Sequence, residues 1–485
     1  MDVIVLLALL SCLAAILWRW RCTTATSTRR ARVRATIQQR TFKIRNPTLA
    51  HRALIEHANA FSDRPSSLFP VPLLTGRQRR RSDNILSVPY GPHWRILRCN
   101  INSNVLHPSR LGSLAPLQRA AIEDLVAGLS SSCGPAGEVI VRGRLYAAVF
   151  ALVARMCFGE SVSQSDVRAA QHVIQEFVRG VGQSQEFARS ELAKLVHWRR
   201  WRRFRSSRRR MAEVFLPLVA QRRQSPSTTR TTWRGVIPYV DSLLRLRVPN
   251  DDDTAKDATA DAGRELTDDE MVSLVSEFLG AGTETVAACV EWALAHLAAQ
   301  PDVQNKLRHE IINGVSNKGA LICDQIRHRE MTYLHCVVLE SLRMHPPVAI
   351  AMRQVRAEEA AEVAGIATVP SAGLRVHFML GDIGRDSKAW TDPHEFRPER
   401  FMPGGEAEDV GPLPGPKEIR MMPFGAGRRF CPGMGLGMLH VKLFLAALVR
   451  QFEWTPPAGQ NIDLTEWNGF FKTMKKPLRA AITGP

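Results

Sequence analysis

Apolar residues recur at helical spacing over most of the chain. The periodicity predicts helices over 48–61, 115–130, 141–158, 168–195, 208–222, 268–300, 302–314, 331–344 and 433–451. Strand-like alternation is short and rare, as in Leu374 to Leu380. The 268–300 segment opens on Thr267-Asp268-Asp269-Glu270, a capping box, and then stays largely apolar to Leu297. A helix apolar on every side belongs in the middle of a domain. Gly280 and Gly282 interrupt it at a cost of about 1 kcal/mol each against Ala. Either a large group approaches the backbone there, or a neighbouring helix packs on it. The polar stretches 223–235 and 250–265 read as exposed loops, and no repeat period is present. The pattern describes one mostly helical domain with minor sheet content.

The N-terminus differs from the rest. Val3 to Trp18 is almost wholly apolar, Trp20 extends it, and Arg19, Arg21, Arg29, Arg30 and Arg32 follow. That order predicts a membrane anchor over 1–20 and a basic juxtamembrane tether over 21–40, with residues 41–485 on the cytosolic side. A cleaved leader would carry its basic residues before the apolar run. The whole 485-residue chain carries a net charge of +19, which suits an acidic protein or anionic lipid partner. Nine cysteines, at 12, 22, 99, 133, 157, 289, 323, 336 and 431, form no CxxC pair. Neither a disulfide framework nor a zinc site is expected, and a reducing compartment suits them.

One cysteine stands apart, in Pro423-Phe424-Gly425-Ala426-Gly427-Arg428-Arg429-Phe430-Cys431-Pro432-Gly433. Its pattern is F-x-x-G-x-R-x-C-x-G. Gly427 belongs to a turn that lets backbone approach a flat ligand closely, and Arg429 can pair with a carboxylate on that ligand. Cys431 precedes a helix expected from near Gly433, and free N–H groups at such an end favour a thiolate. Three more segments accompany the loop: Glu340-Ser341-Leu342-Arg343, Phe396-Arg397-Pro398-Glu399-Arg400-Phe401 and Ala281-Gly282-Thr283-Glu284-Thr285.

Together, and in this order, these motifs resemble those of the cytochrome P450 family, and the matching stretches around Lys417–Gly427 and Met474–Leu478 are similar to its plant microsomal branch. The resemblance covers roughly residue 41 to the end. It implies a mainly α, single large haem-thiolate domain with minor β-sheets behind an N-terminal anchor helix. Haem b is the implied cofactor, with Cys431 as the axial ligand to iron; a thiolate ligand favours O–O cleavage. Arg429, Phe424, Gly427 and Gly433 would cradle the haem from below. Trp94 and Arg98, in a W-x-x-x-R helix, and Arg353 would reach its propionates. Glu340, Arg343 and Arg400 would form a buried network bracing the loop. Gly282 would leave room for dioxygen at a gap in the central helix. Thr285 would relay protons and Glu284 feed the relay. Val286 stands where the family usually has a second hydroxyl.

Thr285 also favours monooxygenation over peroxide rearrangement, with one oxygen atom entering a small lipophilic substrate, a plant secondary metabolite by resemblance. The glycine patterns near Cys431 follow no strand of a βαβ unit, so no dinucleotide site is expected. The resemblance implies a separate NADPH-dependent flavoprotein reductase, whose acidic face suits the basic excess, and an endoplasmic reticulum membrane. The sequence departs from the family between the anchor and Phe42, where a hinge and several dozen residues are missing. The first strand pair is therefore in question, and a catalytically impaired or non-catalytic haem protein is the alternative. The run Trp198–Arg210 interleaves arginines with aromatics, but a solvated or membrane-facing helix is the simpler reading, and no nucleic-acid partner is expected.

Overall fold

The computed structural model describes residues 41–65, 84–132, 134, 137–189, 191–224, 237–249, 263–314, 331–356, 374–467 and 469–484. The expected anchor and tether lie outside them, as does most of the two polar loops. Among the described residues, eight helices follow the predicted pattern and one more precedes them: α1 Pro92–Asn104, which carries the W-x-x-x-R segment, then α2 Ala115–Ser131, α3 Val141–Phe158, α4 Gln164–Arg189, α5 Trp198–Gln224, α6 Asp268–Ala299, α7 Pro301–Gly314, α8 Thr332–Met344 and α9 Met434–Gln451. The helix expected over 48–61 is only a short α-helical piece, Pro47–His51, followed by a π-helical turn, Arg52–Glu56. Helix α6 starts at the expected capping box: Thr267 Oγ1 accepts from the Glu270 amide at 3.3 Å, and the Thr267 amide donates back to Glu270 Oε2 at 2.7 Å. It crosses the core, and Trp292 within it is fully buried. It also runs without interruption past Thr285, so the expected gap in the helix is absent. The Thr285 hydroxyl donates to the Ala281 carbonyl at 2.8 Å, one turn back, and that bond needs no break in the ladder.

Helix α5 begins ten residues before the predicted start. The arginine run continues the helix because arginine is a good helix former. It also finds partners there: Arg210 pairs with Glu176 on α4 at 2.7 Å and Arg209 with Glu213 at 2.9 Å. Phe204, one of the run's aromatics, is buried, while Arg199, Arg200, Arg202, Arg203 and Arg205 face solvent.

Two small sheets flank the helices. Strand β1, Thr41–Ile44, runs parallel to β4, Arg375–Met379, which pairs antiparallel with β3, Ile350–Gln354. Strand β2, Glu138–Ile140, pairs with β6, Arg479–Thr483, and β6 with β5, Glu453–Thr455. The shortened N-terminal region therefore still supplies an edge strand. Ile44 turns inward from it onto a small core with Phe61, Phe378 and Ile419.

Candidate active site

A cavity of about 370 Å³ lies between α6 and the segment leading into α9. Its walls are mostly apolar, and Cys431, Thr285, Gly282, Trp94, Phe424 and Gly433 all reach it.

Cys431 sits three residues before α9 and two before its N-cap, Gly433. Its amide donates to the Phe424 carbonyl at 2.8 Å, which closes the loop. The turn depends on Gly427: its φ is +70°, and an added Cβ would stand 2.3 Å from the Leu54 carbonyl oxygen. Burial pushes the Cys431 thiol above its ordinary value, while the Gly433 N–H, Arg98 and Arg64 favour the thiolate. The loop alone therefore leaves the sulfur protonated, and a bound metal cation supplies the missing stabilisation.

Five arginines line the same cavity; Arg208 pairs with Asp269 at 3.8 Å, and the other four gather at the cysteine loop. Arg353 is fully buried and donates to the carbonyls of Met352 at 2.9 Å and Ala426 at 3.2 Å. Arg98 donates to the Phe430 carbonyl at 2.8 Å and lies over the Phe430 ring at 4.8 Å. Arg429 donates to the carbonyls of Ser62, Ile85 and Val88 at 2.7, 3.1 and 2.6 Å, and covers the Trp94 ring. The fourth, Arg64, falls in no motif that marks it in the sequence; only the fold brings it here. Its Nε is buried without a hydrogen-bond partner. Burial lowers Arg64 to about 10 and Arg429 to about 9, and lowers Arg98 and Arg353 as well. Among the described residues, the carboxylates that face these charges are Asp63, 3.8 Å from Arg429, and Glu277. A cluster of buried cations around one cavity, short of anions, fits a flat ligand bearing two carboxylates. Haem, with iron for Cys431 and propionates for the arginines, meets both requirements.

The distal wall is α6. Thr285 and Gly282 line the cavity. An added Cβ on Gly282 would meet Val153 of α3 at 3.2 Å, so close helix packing accounts for this glycine. Glu284 faces the Tyr146 hydroxyl on α3 rather than the cavity, and burial raises its carboxyl despite Tyr146, Arg179 and Arg142.

Below the loop, Glu340 and Arg343 are fully buried on α8. Arg343 Nε and Nη2 donate to the two Glu340 oxygens at 2.6 and 2.8 Å. Arg400 Nε reaches Glu340 Oε1 at 3.1 Å, and the Arg397 amide joins it at 2.9 Å. The remaining N–H groups of Arg343 donate to the carbonyls of Gly384, Pro393 and Glu395. Those of Arg400 go to Thr391, Asp392 and Glu395 carbonyls and to Glu406. Every charge of the network is thereby paired, the condition for burying such ions at all.

The family model described as Cytochrome P450 matches residues 35–481. Among curated relatives, Cytochrome P450 89A9 of Arabidopsis thaliana is 35% identical over 442 residues, covering 90% of this chain and 82% of that protein. Amorpha-4,11-diene 12-monooxygenase of Artemisia annua is 28% identical, covering 88% of this chain and 80% of that protein. Among solved structures, a zebrafish cytochrome P450 crystallised with progesterone superposes with a TM-score of 0.72 at 21% identity, covering 91% of this chain and 93% of that one.

Proposed function

The chain belongs to the cytochrome P450 family and is a haem-thiolate monooxygenase, and from that premise we propose how its own residues divide the work. The observation that carries the assignment is the convergence of Cys431 with Arg64, Arg98, Arg353 and Arg429 on one largely apolar cavity. Cys431 would ligate the iron; Arg64, Arg98 and Arg353 would meet the propionates. Arg429 would hold Ser62, Ile85 and Val88 against the loop through its three carbonyl bonds. Phe424, Gly427 and Gly433 would keep the loop flat beneath the ring. Bound haem supplies the iron centre at which dioxygen is activated.

On the distal side, Thr285 Oγ1 holds a proton at the cavity wall and passes it inward. Glu284 stands behind it as the group from which that hydroxyl is reprotonated, and burial raises its carboxyl as such a proton donor requires. Glu340, Arg343 and Arg400 hold the loop without touching substrate. The electrons come from an NADPH-dependent flavoprotein reductase, a partner for which the net charge of +19 is suited. The apolar run Val3–Trp18 with its arginine flank supports an N-terminal anchor in the endoplasmic reticulum membrane. The substrate is a small lipophilic plant metabolite, in keeping with the apolar walls.

The carbon monoxide difference spectrum of the reduced protein tests the assignment. A red-shifted thiolate band, lost in Cys431→Ala, is expected. A band typical of a neutral axial ligand would overturn it.

A further inference from the structure

Glu277 belongs to none of the motifs above, yet it is the one carboxylate among the described residues that line the cavity. It sits on α6, one turn before Ala281 and two before Thr285, and all three reach the cavity. Two turns of helix amount to about 12 Å along the axis. Its oxygens are already engaged on one side: Oε2 accepts from the Ile85 amide at 2.9 Å and Oε1 from the Leu86 amide at 2.7 Å. A carboxylate offers about four acceptor sites, so two remain after these bonds. The side chain is not fully covered, and the surface it shows belongs to the cavity. Phe177, Val178 and Phe471 are among the apolar side chains that line the same cavity, whose polar side chains besides the arginines include Asn84, Ser273 and Ser276.

The position is also fixed. Ile85 is held from its other side, because its carbonyl accepts from Arg429 at 3.1 Å and Trp94 Nε1 at 3.1 Å. Glu277 is thus clamped by a segment that is itself clamped. Burial raises the Glu277 carboxyl to about 7, against the Ile85 and Leu86 amides and the nearby Arg64 and Arg429, which hold it lower. The unused acceptor sites therefore suit a neutral donor, a hydroxyl or N–H, better than a second cation.

We propose that Glu277 determines specificity: it anchors lipophilic substrates through a hydroxyl or N–H group placed about two helix turns, roughly 12 Å, from the carbon presented beside Thr285. The proposal rests on the monooxygenase reading of this cavity. A site built to accept a hydrogen bond discriminates strongly against a ligand that lacks the donor.

The test uses the haem-loaded full chain and two probe series, the straight-chain alcohols from octan-1-ol to tetradecan-1-ol and their methyl ethers. The ethers keep the oxygen and the chain but donate nothing. Affinity is read from the substrate-induced shift of the Soret band. At about pH 8.5, where a carboxyl raised to about 7 is ionised, the alcohols should bind about tenfold or more tightly than the matched ethers, as loss of a hydrogen bond to a charged group implies. The preference should peak near the chain length that spans the two turns. In Glu277→Gln, which keeps a neutral acceptor oxygen but loses the charge, it should fall several-fold, with ether affinity held within about twofold; a purely structural latch would weaken both series together. Equal affinity for alcohol and ether, or for neither, overturns the proposal. So does a parallel loss of both in the variant. The carbon monoxide spectrum separates the two levels: a thiolate band without donor preference refutes the anchor alone, and absence of that band refutes the oxygenase reading.

Discussion

Arg64 gives a prediction whose two halves have opposite signs. Its guanidinium is buried beside three other arginines, with a partnerless Nε. Burial alone is the largest cause of its depression from 12.5 to about 10. A shift of that size corresponds to about 3 kcal/mol working against the charged form. In Arg64→Met the aliphatic bulk stays and the cation goes. The apoprotein should therefore be stabilised, by up to that amount. The holoprotein should lose one charge-assisted bond to a propionate, about 1.5–3 kcal/mol, or about 10- to 150-fold in affinity. Thermal melting of the apoprotein reads the first effect, and the rate of haem transfer to an excess of apomyoglobin reads the second. If the variant releases haem at the wild-type rate, or if its apoprotein melts lower, Arg64 is structural and the anion-deficit argument for the cavity is wrong.

Three other perturbations probe separate parts of the molecule. Glu340→Ala strands two buried guanidinium groups, Arg343 and Arg400, and should cost about 3–5 kcal/mol with loss of haem on mild heating; unchanged melting and haem content would deny the network its bracing role. Thr285→Ala removes the hydroxyl bonded to Ala281 and should keep the thiolate spectrum while diverting electrons from product to peroxide, which a comparison of NADPH consumed with product formed will show or refute. The buried His296–His345 pair predicts a pH dependence. His345 Nδ1 faces Glu466 at 2.8 Å and so carries the proton, its Nε2 accepts from His296 Nε2 at 2.9 Å, and His296 Nδ1 is left bare, as its missing partner agrees. Burial lowers His296 from 6.5 to about 3. Below pH 6.5 the unfolded chain takes a proton there that the folded chain refuses. Its contribution is thus complete above pH 6.5 and is lost as pH falls towards about 3, at up to about 1.4 kcal/mol per unit. Denaturant titrations should show that slope in wild type and one unit less of it in His296→Gln; parallel curves would contradict the assignment.

The sequence by itself determined what rests on short-range chemistry. Helix α3 begins and ends where its periodicity predicts, and α6 starts at its capping box, because both depend on neighbours three and four residues apart. The loop motif marked Cys431 for the same reason: a positive-φ glycine and a helix start are local requirements. Tertiary structure decided what long-range contacts control. Arg64 lies 367 positions before Cys431 and enters the cavity only because the chain at Ser62 and at Ile85–Val88 lies on the loop, held through Arg429. Gly282 serves a helix crossing, and Glu284 turns towards Tyr146, because α3 packs on that side of α6. Glu277 gave no signal in the sequence, since a glutamate in a helix is ordinary until two amides from a distant segment meet it. Local spacing identifies which chemistry a chain can carry, but a buried charge acquires its role from the groups the fold places around it.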